Sequence, residues 1–139
     1  MAFSANYWHL LGIPKSKIMV GIPTYSHTFR LLHPQLHHAG APATAEGPEF
    51  SYGEVCDFLK QNGSVRVFDA FASVPYAYNG TLWITYEDEE SAGKKAAWIR
   101  DNGFGGSMTY NINNDDMDGR CRSNGQSFAL HRVIRSLLQ

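Results

Sequence analysis

No stretch of this sequence approaches the roughly 20 consecutive apolar residues that a membrane-crossing helix requires, so such a helix is not expected. Charge is scarce and nearly balanced: 12 Lys and Arg stand against 13 Asp and Glu, for a formal net charge of -1. Nucleic acid and anionic membrane surfaces are therefore poor candidate partners. Lys94, Lys95, Arg100, Arg132 and Arg135 read as helix-surface charges and form no basic stripe. Low-complexity tracts and internal repeats are missing, as is a linker that would separate two domains in series. The first residues show no basic start followed by an apolar run, so no cleavable leader is read in them. Cysteine is rare: Cys56 and Cys121 are the whole supply, and two can be a disulfide or two free thiols.

What remains is a chain of ordinary globular composition, 43% hydrophobic and 18% charged. Aromatics at 13% suit carbohydrate binding and an aromatic core equally well. The chain opens on helical spacing, with Phe3, Tyr7, Leu10 and Leu11 on one face that reads as buried and Gly12 and Pro14 as stops. A helix that begins on a buried face leads to the expectation that Met1 opens a fragment. Two glycosylation sequons, Asn62-Gly63-Ser64 and Asn79-Gly80-Thr81, add weak support for secretion.

Lys17 to Tyr25 is nearly all apolar and reads as a strand buried on both faces, with pairing ending near Pro23. Ser26 to about Pro48 reads as loop, punctuated by Gly and Pro. A short helix is predicted over Phe50 to Lys60, then strands at Val65 to Ala70, Val74 to Tyr78 and Thr81 to Tyr86. Asn79-Gly80 marks a hairpin between the last two. Glu87 to Glu90 opens a helix that ends at Asn102-Gly103, acids at its start complementing the dipole. Gly105 to Tyr110 reads as a second interior strand, and Leu130, Val133, Ile134 and Leu137 as a final amphipathic helix. This pattern is the end of a parallel α/β unit with about 60 residues inserted in one crossover.

Several of these segments match one family in order. Gly21-Ile22-Pro23-Thr24-Tyr25 resembles the end of the seventh barrel strand of family 18 glycoside hydrolases. Gly40-Ala41-Pro42 followed by Tyr52-Gly53-Glu54-Val55-Cys56 resembles the start of that family's chitinase insertion domain. Val74-Pro75-Tyr76 and Trp83 to Asp88 resemble its later strands, and Gly105 to Met108 with Asp115-Asp116 resembles the eighth barrel strand and the loop beyond. The resemblance covers essentially the whole chain. It implies the C-terminal part of an α/β, TIM-type (β/α)8 barrel. Residues 1–25 and 89–139 would supply strands seven and eight with flanking helices, side by side and parallel, and residues 26–88 the α+β chitinase insertion domain.

The resemblance further implies a secreted protein that acts on chitin or chito-oligosaccharides, without cofactor or metal. The mechanism is retaining and substrate-assisted, with a glutamic acid of raised pKa protonating the leaving oxygen. The family carries that acid in an Asp-x-x-Asp-x-Asp-x-Glu signature on its fourth strand, expected upstream of Met1. No such signature occurs here: Glu87 to Glu90 has the wrong spacing, and Asp115, Asp116 and Asp118 do not fit either. No catalytic residue is assigned, and the chain alone is expected to be inactive. Either an active chitinase or a non-catalytic chitin-binding lectin of the family could contain it.

Substrate-binding positions carry over residue by residue. Tyr25 matches the family's strand-seven tyrosine, and Glu46 an insertion-domain glutamate that lines the cleft. Two positions depart from the pattern. Tyr110 stands where the family usually has the Trp that floors the sugar site, a smaller and more polar platform. His27 stands where an Arg is frequent; it lacks the forked donor pair, and its charge varies with pH. Cys56 and Cys121 match a family disulfide between the insertion domain and the loop after strand eight. His33, His37 and His38 lack partner cysteines and helical spacing, so they read as a solvated loop and not a metal site.

Overall fold

In this computed structural model, which describes residues 1–139, the apolar run near the start becomes strand β1 (Met19–Pro23). It lies parallel to β7 (Gly106–Tyr110), in register from Met19 opposite Gly106 to Pro23 opposite Tyr110. Two helices back this pair, α3 (Glu89–Asp101) and α4 (Ala129–Leu138). They cover one side only. Val20 and Ile22 are therefore buried while Met19 is 55% exposed, and β1 is not the doubly buried strand that its composition predicts. Both strands end at Pro23 and Tyr110, so the residues just beyond them share one edge.

Between β1 and α3 a second sheet forms, with order β3-β2-β6-β5-β4 and every neighbour antiparallel. Its strands are β2 (His27–Leu31), β3 (Ala43–Glu46), β4 (Val65–Asp69), β5 (Val74–Asn79) and β6 (Leu82–Thr85). The last three fall where the sequence places them, and Gly80 at φ +57° makes the tight turn between β5 and β6. The first two overturn the loop reading of residues 26–48. Their pattern is obscured by a register irregularity between Arg30 and Leu31, and the edge strand β3 is exposed throughout.

Helix α2 (Tyr52–Leu59) packs Val55 and Phe58 into one core with Ala77 and Ile84 of this sheet. The same core continues through Val20 and Ile22 to Ala92, Ala96 and Ile99 of α3 and Leu130 and Ile134 of α4. Burying such aliphatic side chains stabilises by about 1.5–3 kcal/mol each. Capping boxes start α2 (Ser51 with Glu54) and α3 (Asp88 with Ser91), each cap worth about 1 kcal/mol. Within the acidic run read as the helix start, Asp88 is thus the residue that caps α3. Glu87 does not: it is 5% exposed and ion-paired to Lys95, which is no free surface charge either.

Helix α1 (Ala2–Leu10) departs furthest from expectation. Phe3, Tyr7, Leu10 and Leu11 are 83%, 50%, 81% and 58% exposed, and only Ala5 is buried. Nothing in the fold packs against the apolar face that the spacing assigns to a core. No helix in the chain is long and apolar enough to cross a membrane.

Candidate functional site

From Thr24 to Phe29 the chain alternates hydroxyl and ring side chains: Thr24, Tyr25, Ser26, His27, Thr28, Phe29. Side chains of extended backbone point to opposite faces in turn. The three hydroxyl residues go inward, at 2%, 1% and 0% exposure, and each finds a partner. Thr24 Oγ1 donates to the Asn111 carbonyl at 2.5 Å, and Thr24 N–H donates to the Tyr110 carbonyl at 3.1 Å. Ser26 Oγ accepts from Phe50 N–H at 3.0 Å while Ser26 N–H donates to the Phe50 carbonyl at 2.9 Å. Thr28 Oγ1 donates to the Pro48 carbonyl at 2.7 Å. Buried polar groups must be paired in this way or cost stability.

These bonds tie one six-residue path to β7 on one side and to the 47–51 segment on the other. The rings are left on the opposite face, where they gather. Tyr25 lies edge-on to Tyr110 with ring centroids 6.4 Å apart, and edge-on to His27 at 5.3 Å. His27 Nδ1 is 3.5 Å from Glu46 Oε1, with side chains 46% and 65% exposed. Tyr110 is 64% exposed. All four residues singled out as substrate-binding from the sequence therefore converge at the C-terminal end of the parallel pair. The surface they make combines two phenol platforms with an imidazole and a carboxylate. It offers stacking area and both donors and acceptors to a polyhydroxylated ligand. Gly47 is needed beside it, because an added Cβ would collide with the Thr28 hydroxyl.

Behind the site two buried aspartates organise the chain, a role that the sequence does not reveal. Asp115 accepts from Leu130 N–H at 3.2 Å and His131 N–H at 3.0 Å, and its Oδ2 is 2.6 Å from His131 Nδ1. It thereby caps α4, whose own N-cap residue Phe128 contributes no side-chain bond. His131 Nε2 reaches Thr109 Oγ1 at 2.8 Å. Asp116 accepts from Arg120 N–H at 2.7 Å and Cys121 N–H at 2.8 Å. In the sequence the pair enters only as part of the motif that resembles the loop beyond the eighth strand, and an Asp-Asp pair before a polar loop fits many solvated turns as well.

Cys121, so held, is disulfide-bonded to Cys56 across 65 residues, with Cα atoms 5.2 Å apart. The bridge fastens α2 to the loop after β7. His37 is more than a solvated loop residue: it stacks on Tyr78 at 3.8 Å, and its carbonyl accepts from Trp83 Nε1 at 3.0 Å. The two sequons lie side by side. Asn79 Nδ2 donates to the Asn62 carbonyl at 3.2 Å and to Ser64 Oγ at 3.1 Å, while Asn62 itself is exposed. Burial pushes the Tyr52 and Tyr86 hydroxyls well above the usual phenol range, with Asp88 adding to both. Both stay neutral and belong to the core.

Comparison with known proteins gives this arrangement its setting. A probable endochitinase of Caenorhabditis elegans is 37% identical over 94% of this chain, which spans 22% of that protein. The crystal structure of an immunomodulatory active chitinase from Trichuris suis superposes with TM-score 0.91 at 32% identity, covering 98% of this chain and 40% of that one. Human YKL-39, described as a pseudo-chitinase with retained chitooligosaccharide binding, superposes with TM-score 0.90 at 31% identity, covering 99% and 39%. The chain thus spans well under half of each relative, aligned along nearly its entire length. Residues 1–115 match the family described as glycosyl hydrolases family 18, and with the chitinase-type fold of both sheets this chain belongs to that family.

Proposed function

We propose that this chain forms part of the saccharide cleft of a chitinase-type protein and binds chitin or chito-oligosaccharides through Tyr25, His27, Glu46 and Tyr110. The observation that carries this reading is the convergence of those four side chains, drawn from β1's end, β2, β3 and β7, on one exposed face. Each phenol ring offers a platform for the apolar face of a sugar. His27 and Glu46 supply a paired donor and acceptor for its hydroxyl or acetamido groups. The parallel pair with α3 and α4, residues 1–25 and 89–139, is the barrel portion, and residues 26–88 are the insertion domain. That division is supported by the two separate sheets.

Hydrolysis in this family needs a protonated carboxylic acid at the scissile bond. The Asp-x-x-Asp-x-Asp-x-Glu signature that carries it is not among these 139 residues. The chain therefore contributes binding surface and positioning, and bond cleavage belongs to a protein that also supplies the acid. A second reading, a chitin-binding lectin, is favoured by Tyr110 at the family's Trp position and by the likeness to the human pseudo-chitinase. Extracellular residence suits the disulfide, and Asn62 is the better placed glycan acceptor because it is exposed and Asn79's amide is engaged.

The test is calorimetric titration of chitopentaose onto the chain, with cellopentaose as the control lacking acetamido groups. Selective binding that falls in Tyr25→Ala supports the reading. Equal or absent binding of both oligomers rejects it.

A further inference from the structure

The sheet face that carries His27 and Glu46 does not end with them. In the strand register Thr85 lies directly opposite His27, and Phe29 directly opposite Glu46. Directly opposed residues sit about 5 Å apart on one face of a sheet. Thr85 and Phe29, together with Trp83 and His38, line a cavity of about 370 Å³ whose remaining wall is mainly small apolar residues. Its size and its aromatic lining with few polar groups are those of a small-ligand pocket.

The indole of Trp83 is fixed in place. Its Nε1–H donates to the His37 carbonyl at 3.0 Å, Tyr76 stacks against it at 5.3 Å, and Phe29 tilts toward it at 6.0 Å. The segment that closes the cavity is itself anchored by the stack of His37 on Tyr78. An aromatic platform locked before ligand arrives loses little entropy on binding. The polar rim is matched to a sugar. His38 Nδ1–H donates to the Ala39 carbonyl at 3.0 Å, which leaves the neutral ring's Nε2 as an acceptor for a hydroxyl. The Thr85 hydroxyl can both donate and accept.

We propose that this cavity is an additional saccharide subsite, which takes one N-acetylhexosamine ring of a β-1,4-linked chain as it leaves the cleft past His27 and Glu46. The ring's apolar face lies on Trp83 and Phe29, and its hydroxyl or acetamido groups meet Thr85 and His38. The inference rests on the cleft reading above, because continuity with that surface is what selects the occupant. It adds a preference for oligomers long enough to reach both.

The test uses the ¹⁵N-labelled chain, with the Trp83 indole resonance assigned by its loss in Trp83→Phe. Chitopentaose should shift that resonance, and chitobiose should leave it in place. Trp83→Ala should weaken pentamer binding about five- to tenfold and leave disaccharide binding unchanged. Thr85→Val, at a half-exposed position outside the core, provides a milder variant with the same pattern. A static Trp83 signal while residues around Tyr25 and Tyr110 respond would overturn the subsite and leave the cleft standing. A response at Trp83 without one at Tyr25 and Tyr110 would remove the cleft reading, and silence at both would overturn both.

Discussion

Tyr25 and Tyr110 meet edge to face, their ring planes at 88° and their centroids 6.4 Å apart. The edge of one phenol supports the face of the other, so the more exposed Tyr110 is offered to ligand in a defined orientation. Enlarging that platform should strengthen sugar binding. Tyr110→Trp is expected to raise chitopentaose affinity by about three- to tenfold, and Tyr110→Ala to lower it by a similar factor. Calorimetric titration of the three proteins checks the order, and equal affinities would remove Tyr110 from the site.

Thr28→Val keeps the side-chain shape and removes the hydroxyl that satisfies the Pro48 carbonyl. The orphaned acceptor should cost about 1–2 kcal/mol in chemical denaturation. The Gly47 N–H bond to the Thr28 carbonyl at 2.8 Å is made by backbone and survives, but the segment carrying Glu46 loses its Pro48 anchor to β2. Sugar affinity should fall together with stability.

Asp115→Ala leaves two α4 N–H groups and the His131 ring without their buried acceptor. The expected loss is about 3 kcal/mol or more, against a smaller loss in Asp115→Asn, which keeps an oxygen. Denaturation midpoints of both variants provide the comparison, and near-equal midpoints for the two would show that the uncharged oxygen kept by Asn contributes nothing.

Reducing the Cys56–Cys121 bridge, or replacing both residues by Ser, should destabilise the chain by about 4 kcal/mol, the chain-entropy value for a loop of this length. Mass analysis after alkylation should find no free thiol before reduction and two after it.

The exposed apolar face of α1 and the uncovered side of the parallel pair, with Met19 at 55% and Met108 at 51% exposure, should make the 139-residue chain associate. Light scattering after size exclusion should report species above the monomer mass. A monodisperse, cooperatively melting monomer would contradict this.

The parts legible in the sequence were those with a local signature. Parallel β1 and β7, the hairpin at Gly80 and the helices α2 to α4 all follow from apolar runs, turn residues or family motifs, and the four residues that those motifs single out lie together. Strand β2 escaped because the period-2 pattern leading into it is written with hydroxyls, and β3 because it is exposed throughout and has no buried face to mark it. Thr24, Ser26 and Thr28 are as buried as any aliphatic residue yet read as polar, and the strict alternation with Tyr25, His27 and Phe29 was the signal that could have exposed them. Asp115 and Asp116 escaped for a different reason: their partners lie up to 16 residues away, and sequence spacing does not show which carboxylate will be enclosed. The α1 face misled because helical periodicity reports which residues could be covered, not what covers them.

The path from Thr24 to Thr28 carries one further consequence. It is a single run of backbone that leaves the parallel pair and enters the antiparallel sheet without an intervening loop, clamped at Ser26 by two bonds to Phe50. The two sheets therefore have no slack between them. Widening the gap at Tyr25 means rupturing the Ser26 clasp, so this joint should behave as a weld and not as a hinge.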